Sequence, residues 1–219
     1  MFCISLGTND FELAKKHIQN AQMAEVRLDL TRFNKDQIAG LCKMNGSLIF
    51  TYRKNTSFTD EARIDALKTA IELQAGWIDL DIEEGSVFLD RIFAKIRGSK
   101  HTKLILSYHN FEHCPTNEKL YDVILSAAKY SPDLIKIACM SHGIRDNKRI
   151  LRFNTDFSNV LAFCMGSEGK STRALSLLIG APFSYVALPD QQTAPGQMTI
   201  EEMEIMLNEF RQKSGISNK

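Results

Sequence analysis

Ionisable side chains occur at or near the carboxyl ends of short apolar runs along the whole chain. Runs rich in Ile, Leu, Val and Phe are typical of interior strands and seldom carry charge. The charged residues that interrupt, close or follow these runs are Glu25, Arg27, Asp29, Arg53, Asp81, Glu83, His109, Lys136 and Arg173. If the runs are parallel strands around one axis, their ends meet at one rim. The sequence then predicts a site that combines a lysine, a histidine, arginines and carboxylates.

Lys136 lies inside the apolar run Leu134–Ala138, where a strand would bury its side chain. Burial disfavours the ammonium form, and a neutral amine is the nucleophile that forms a Schiff base with a carbonyl compound. An equally good interpretation is an inward lysine that pairs with a carboxylate such as Asp81 or Glu83. These residues alone leave both interpretations open.

His109 closes the run that begins at Lys103, and imidazole can take up and return a proton near neutral pH. A single histidine at such a position is more often a hydrogen-bonded structural residue. In a barrel, however, a strand that ends in histidine and a next strand that carries Lys136 would bring both groups to one bound molecule. The pair is therefore a more specific signal of chemistry than either residue.

Several polar donors at the same strand ends indicate an anionic, hydroxylated ligand. The planar guanidinium group suits carboxylates and paired hydroxyls. Glu25 and Arg27 are two residues apart and so share one face of a strand. Arg53 and Arg173 supply further donors. The polar segment 189–197 adds the hydroxyl of Thr193 and the side-chain amide of Gln197.

Two other kinds of site have weaker support. Residues 166–172, Gly-Ser-Glu-Gly-Lys-Ser-Thr, resemble the end of a phosphate-binding P-loop, but the first glycine of that pattern would fall on Cys164. The segment also follows the seventh apolar run rather than the first. His113 and Cys114 lack the further ligands that a zinc site needs, so we expect no metal.

The elements that must position these residues alternate in type. Eight apolar runs occur at 2–6, 24–30, 48–53, 77–82, 103–108, 134–138, 159–165 and 184–188. The segments between them have helical spacing, Asn34 and Thr116 are candidate N-caps, and Thr199-Ile-Glu-Glu202 is a capping box. Strands that alternate with helices pair in parallel. Eight such units predict one α/β domain over residues 1–219, a (β/α)8 TIM barrel with its site at the carboxyl-terminal rim.

Composition limits the kinds of partner and the cellular compartment that we expect for this protein. The chain has 27 basic and 26 acidic residues, a net charge of +1, which gives no support for a nucleic-acid partner. No apolar stretch approaches the roughly 20 residues that span a bilayer, and the first residues lack a basic leader. The five cysteines form no CxxC pair and are expected to be free thiols. We therefore expect a cytoplasmic protein without a membrane partner.

Seven short segments, in order along nearly the whole chain, resemble the type I 3-dehydroquinate dehydratases. They are Glu25-Val-Arg-Leu-Asp29, Thr51-Tyr-Arg53, Asp79-Leu-Asp-Ile82, Ser107-Tyr-His-Asn-Phe111, Ile135-Lys-Ile-Ala138, Met165-Gly166 with Ser171-Thr-Arg173, and Ala194-Pro-Gly-Gln197. The resemblance implies a barrel enzyme of the shikimate pathway, which leads to the aromatic amino acids. It implies dehydration of 3-dehydroquinate to 3-dehydroshikimate by syn elimination. It also implies that the enzyme needs no metal or organic cofactor and forms a homodimer.

The resemblance also assigns roles to the residues singled out above. Lys136 would be the Schiff-base lysine and His109 the general acid and base. The substrate-binding set would be Glu25, Arg27, Arg53, Arg173, Thr193 and Gln197, with Arg173 at the substrate carboxylate.

The chain departs from the family pattern at two places. Thr193 stands where a serine is usual, and its hydroxyl is retained. Residues 54–58, Lys-Asn-Thr-Ser-Phe, lack the glutamate that orients the histidine in many members. We expect Asp81, Glu83 or a main-chain group to orient His109 instead.

Three other functions remain compatible with the sequence. A Schiff-base aldolase on a similar barrel would also use Lys136 but would cleave a carbon–carbon bond and accept phosphorylated sugars. A P-loop protein would bind Mg-ATP through Lys170. A barrel that only binds a metabolite would leave Lys136 resistant to reductive trapping.

Overall fold

The computed structural model describes residues 1–189 and 191–214, and its centre is an entirely parallel eight-stranded sheet. The strands are β1 (Phe2–Leu6), β2 (Met23–Arg27), β3 (Leu48–Thr51), β4 (Trp77–Asp81), β5 (Lys103–Asn110), β6 (Leu134–Met140), β7 (Val160–Met165) and β8 (Ser184–Ala187). They follow the order β7-β6-β5-β4-β3-β2-β1-β8. The end strands meet through side chains, with the Phe163 and Tyr185 ring centroids 6.3 Å apart. The predicted α/β barrel is thus confirmed.

Helices connect successive strands, as parallel pairing requires. They are α1 (Phe11–Asn20), α2 (Leu28–Thr31), α3 (Lys35–Met44), α4 (Asp60–Glu72), α5 (Ser86–Arg97), α6 (Asn117–Ala128), α7 (Ile144–Asp156), α8 (Gly166–Leu178) and α9 (Ile200–Ser214). Asn34 and Thr116 cap α3 and α6 as predicted, and the Thr199–Glu202 capping box is present. None of the described helices combines the length and apolar character needed to cross a membrane.

Alternation of side chains separates two apolar regions. On β6, Leu134 and Ala138 belong to the cluster inside the barrel, whereas Ile135 and Ile137 pack outside, between the sheet and the helices. Lys136 shares the inward face with Leu134 and Ala138 because successive strand residues point to opposite faces. Apolar side chains fill the lower barrel, and polar side chains occupy the layers above them.

Six strand ends differ from the predicted bounds. The runs 48–53, 77–82 and 184–188 end as strands one or two residues earlier, at Thr51, Asp81 and Ala187. The run 24–30 ends as a strand at Arg27, and its last residues form the helical turn α2, which Arg32 terminates at φ 55°. The runs 103–108 and 134–138 continue to Asn110 and Met140, because these polar or partly exposed residues still pair across the sheet. His109 therefore lies within β5, opposite Ala138, rather than after the strand.

Candidate active site

A cavity of about 470 Å³ opens at the carboxyl-terminal end of the barrel. Each of the eight strands, or the residues directly after it, contributes to its wall, as parallel strands around one axis should. All eight residues singled out as candidates line it: Glu25, Arg27, Arg53, His109, Lys136, Arg173, Thr193 and Gln197. The fold thus brings residues from distant parts of the chain into one chamber.

Lys136 lies at the base of this chamber and is only 5% exposed. Its Nζ lies 3.0 Å from Asp79 Oδ2 and 3.9 Å from Glu25 Oε1. The same nitrogen lies 4.2 Å from the centroid of the Tyr185 ring, which covers it from β8. Asp81 and Glu83 were the expected partners, but the β4 carboxylate that contacts Nζ is Asp79, two residues before Asp81 on the same face of the strand.

Asp79 joins the charges of the site. It accepts hydrogen bonds from Lys136 Nζ, from Arg53 Nη2 at 2.8 Å and from Ser107 Oγ at 2.6 Å. Burial works to raise the pKa of Asp79, but the positive charges of Arg53 and Lys136 outweigh it and hold the pKa well below its usual range. Asp79 is therefore an anion at neutral pH. Sequence reasoning missed this role, although two carboxylates at 79 and 81 in one apolar run were a visible signal.

His109 is oriented by Asp81, one of the groups expected to replace the missing loop glutamate. His109 Nδ1 lies 3.0 Å from Asp81 Oδ2, and the Phe111 ring stacks on the imidazole at 6.0 Å. Burial, assisted by the charges of Arg53 and Lys136, lowers the pKa of His109 to about 4 despite the opposing effect of Asp81. At neutral pH the ring is uncharged, and donation of Nδ1–H to Asp81 leaves the Nε2 lone pair available as a base.

Glu25 and the segment after β8 form one hydrogen-bonded wall. Glu25 accepts from Ser5 Oγ at 2.5 Å and from Thr51 Oγ1 at 2.8 Å. Ser5 Oγ also lies 2.7 Å from Thr193 Oγ1, and Gln197 Oε1 accepts from the Thr193 main-chain N–H at 2.9 Å. Burial favours a higher pKa for Glu25, but Lys136 and Arg27 outweigh it and lower the pKa. This wall is polar and anionic.

Two of the three arginines are already paired with carboxylates. Arg27 makes a two-point contact with Asp29, at 2.9 Å from Nε and 2.6 Å from Nη2. Arg53 contacts Asp79 and lies 3.8 Å from Asp81. These guanidinium groups are held in place and retain unused N–H donors.

Arg173 differs from the other arginines because it has no carboxylate partner among the described residues. It is 1% exposed, its guanidinium stacks on the Phe163 ring at 4.4 Å, and its Nη2 donates to the Pro195 carbonyl at 3.3 Å. Within the described part of the chain, its Nε has no hydrogen-bond partner. Burial lowers the pKa of Arg173 to about 10, so it remains a cation at neutral pH. An uncompensated buried cation in a cavity wall is a receptor for an anion.

The P-loop-like segment does not form a phosphate-binding loop. Residues 166–172 are the first turns of α8, and Lys170 pairs with Glu202 of α9 at 2.9 Å. Gly169 is a packing residue, since an added Cβ would lie 2.6 Å from Cys164 Cβ. Among the described residues, no group of three or more His, Cys, Asp or Glu side chains is arranged to hold a metal ion.

One supporting residue carries no signal in the sequence. Arg63 of α4 is 1% exposed, donates to the Tyr52 carbonyl and to Glu84, and stacks on Phe88. It therefore ties the residue before Arg53 to the segment after β4. Helical spacing predicts a charged outer face at such positions, so only the tertiary structure reveals this role.

The fold and the cavity together define a (β/α)8-barrel enzyme whose buried lysine, neutral histidine and buried arginine share one chamber. The sequence model of the family described as type I 3-dehydroquinase matches residues 2–214. The chain therefore belongs to the type I 3-dehydroquinase family, whose activity is a hydro-lyase reaction of the shikimate pathway, the dehydration of 3-dehydroquinate.

Individual relatives agree with this assignment. The 3-dehydroquinate dehydratase of Thermococcus onnurineus (strain NA1) is 37% identical over 189 residues, which cover 84% of this chain and 85% of the relative. That of Thermococcus gammatolerans is 34% identical over 200 residues, 89% of this chain and 91% of the relative. The crystal structure of the Geobacillus kaustophilus HTA426 enzyme has a TM-score of 0.83 at 19% identity and covers 97% of this chain and 91% of that one. At that identity the structural likeness supports the fold alone.

Proposed function

We propose that this enzyme dehydrates 3-dehydroquinate to 3-dehydroshikimate through a Schiff base on Lys136, with His109 as the general base and acid of a syn elimination. One observation carries the proposal. A buried amine, an imidazole held neutral at physiological pH and a guanidinium without a carboxylate partner among the described residues face the same cavity. These groups match the ketone, the acidic carbon–hydrogen bond and the carboxylate of the substrate.

Arg173 binds the substrate carboxylate. It is the buried cation without a carboxylate partner in the described chain, so a bound carboxylate neutralises it and can satisfy the free Nε. The ring hydroxyls then face a mixture of hydrogen-bond donors and acceptors, which come from Glu25, Arg27, Arg53, Thr193 and Gln197. Fixing both ends of the ring aligns the ketone with Lys136.

Lys136 condenses with the C3 ketone of the substrate. Nζ gives up one ammonium proton and adds to the carbonyl carbon, and a proton returned to the carbinolamine hydroxyl lets it leave as water, which gives a protonated imine. Asp79, 3.0 Å from Nζ, and Glu25, 3.9 Å from it, then supply negative charge beside the cationic imine nitrogen. These preformed anions need no rearrangement when the charge develops.

His109 performs both proton transfers of the elimination. The imine draws electrons from the neighbouring C2, whose proton passes to Nε2 of the neutral histidine. The resulting enamine expels the C1 hydroxyl, which leaves as water with the proton from His109. One group serves both steps because the two bonds lie on the same side of the ring, and such catalysis contributes about 10²–10⁴-fold. Hydrolysis of the product imine releases Lys136.

Substitution of the two reacting groups tests the proposal. Lys136→Met preserves side-chain volume and should abolish turnover, whereas His109→Ala should slow turnover by about 10²-fold or more. Lys103→Met is a matched control, because Lys103 lies at the opposite end of the neighbouring strand, over Trp77. The rate of 3-dehydroshikimate formation is the measurement. Full activity in either active-site variant would contradict the mechanism.

We also propose that residues 1–219 form one domain and that the enzyme is a cytoplasmic homodimer. This part rests on membership of the family and on the continuous sheet, in which each strand pairs with its neighbour. Sedimentation equilibrium would test the assembly, and a mass of one chain over the micromolar range would contradict it.

A further inference from the structure

Three of the five cysteines converge outside the active-site cavity, on the outer face of the barrel. Cys139 of β6 and Cys164 of β7 are paired in the sheet register and are fully buried. Cys114, in the segment between β5 and α6, is partly exposed and packs against the apolar cluster that contains both buried thiols. We call these residues the thiol cluster. None of them lines the cavity described above.

A guanidinium group is fixed beside the exposed member of the thiol cluster. Arg149 Nη2 lies 3.2 Å from Cys114 Sγ and 3.1 Å from its carbonyl oxygen. The same side chain donates to the Pro115 carbonyl at 2.7 Å and to Asp146 at 3.1 Å. These contacts hold the cation against the sulfur, an arrangement typical of reactive rather than structural cysteines.

The surroundings favour one thiolate and two thiols. Hydrogen bonds from Cys139 and then Cys164, together with the charge of Arg149, lower the pKa of Cys114 to about 4, against the opposing effects of burial and of Asp146. The Cys114 thiolate and burial raise the pKa of the other two sulfurs. At neutral pH the anion is therefore on the exposed sulfur, next to two protonated partners.

We propose that Cys114 is a nucleophilic modification site that reacts with hydroperoxides and with soft electrophiles, and that Cys139 or Cys164 resolves the oxidised form. The thiolate, rather than the thiol, is the reactive species, and it must be accessible. Cys114 is accessible and has the Arg149 guanidinium against its sulfur, while the buried pair supplies a second thiol in the same apolar cluster.

The chemistry balances with a hydroperoxide as the oxidant. The Cys114 thiolate attacks the distal peroxide oxygen, the O–O bond breaks, and the leaving group departs as hydroxide or alkoxide. The product is a sulfenic acid, in which sulfur has been oxidised by two electrons. The neighbouring thiol then attacks that sulfur, so that an S–S bond forms, the S–O bond breaks and water leaves.

Cys42 provides a matched control within the same chain. It is also partly exposed, but no cation or thiol of the described residues is bonded to it, and burial raises its pKa to about 11. We expect iodoacetamide at pH 6 to alkylate Cys114 at least tenfold faster than Cys42, as measured by peptide mass mapping. Equal rates at the two cysteines would overturn the proposal.

Treatment with one equivalent of hydrogen peroxide tests the second step. The intact mass should fall by two hydrogen atoms, and peptide mapping should place a disulfide between Cys114 and Cys139 or Cys164. Cys114→Ser should prevent the mass change and retain dehydratase activity, because Cys114 lies outside the cavity. Unchanged mass in the wild-type protein, or an unchanged response in Cys114→Ser, would refute the site.

Arg149 variants test whether the reactivity of Cys114 depends on the neighbouring positive charge or only on the exposure of its sulfur. Arg149→Met should slow alkylation of Cys114 at pH 6 by about tenfold, and Arg149→Lys should restore much of the rate because it keeps a positive charge. If both variants react like the wild type, Arg149 has no part in activating the sulfur. A folded Arg149→Met protein is recognised by its retained dehydratase rate.

Discussion

At the scale of residues, the described part of the active site is a network of opposite charges in which the Arg173 guanidinium has no carboxylate partner. Asp79 binds Lys136, Arg53 and Ser107, while Asp81 binds His109 and lies near Arg53. Removing one member of such a buried network leaves its partner as an uncompensated buried charge, which lowers the free energy of unfolding by about 3–5 kcal/mol. The network therefore keeps the Asp79 and Asp81 carboxylates ionised beside Lys136 and His109.

The pH dependence of the reaction follows from His109. Its pKa in the folded protein is about 4, lowered from 6.5, so the neutral base persists as the pH falls through 6.5 and is lost only near 4. We expect the acidic limb of kcat/KM to lie well below pH 6. Asp81→Asn removes the charge that raises this pKa and should move the limb lower still. An acidic limb at pH 6.5 or above in the wild type would show that the base is not a His109 imidazole with a lowered pKa.

Arg173 controls affinity for the substrate carboxylate. Arg173→Gln should lower kcat/KM by roughly 10- to 150-fold, as expected for the loss of about 1.5–3 kcal/mol from a hydrogen bond to a charged group. Lys170→Met is a control on the same helix, since Lys170 pairs with Glu202 away from the cavity. Steady-state kinetics would distinguish the two variants. Similar effects of both would mean that Arg173 acts through the stability of α8 rather than through substrate.

At the scale of elements, the segment after β8 is held against the start of α8. The Pro195 carbonyl accepts from the Gly166 N–H and from Arg173, both at 3.3 Å. Gly166 and Gly196 adopt φ values of 78° and 70°, in the region that glycine tolerates best. This contact places Thr193 and Gln197 on the wall of the cavity. Asp190, within the predicted loop 189–197, lies outside the described residues.

Gly196→Ala tests whether this docking matters for activity. An added Cβ would lie 2.4 Å from the Gly166 carbonyl oxygen, and the positive φ adds strain of about 1–3 kcal/mol. We expect a lower Tm and a kcat/KM reduced by about tenfold or more. Gly46→Ala is the control, because no atom lies within 4 Å of its added Cβ. If both variants behave alike, the segment can shift without consequence for the site.

The sequence predicts the presence of each strand more accurately than the residue at which the strand ends. Eight apolar runs identified eight strands because burial on both faces selects continuous apolar residues. The end of β2 was misplaced because Leu28 and Leu30 suit a strand as well as the helical turn α2 that they form. The extension of β5 to Asn110 depends on its pairing with Cys139, which local sequence does not encode.

At the scale of the whole molecule, the barrel turns distant positions into neighbours. Lys136 and Asp79 are 57 residues apart, and Arg53 and Asp79 are 26 apart. Strand order and the rule that barrel sites lie at the carboxyl ends of strands predicted which residues share the chamber. Individual pairings depend on side-chain depth and barrel stagger, so Asp79 as the partner of Lys136, and the role of Arg63, emerged only from the three-dimensional structure.

The most direct test of the mechanism is the mass of the intact protein after incubation with 3-dehydroquinate and borohydride. Reduction would convert the imine to a stable amine, so the wild type and His109→Ala should each gain the mass of one reduced ligand. Lys136→Met should gain none. No gain in folded wild-type protein, or an equal gain in Lys136→Met, would contradict a Schiff base on Lys136.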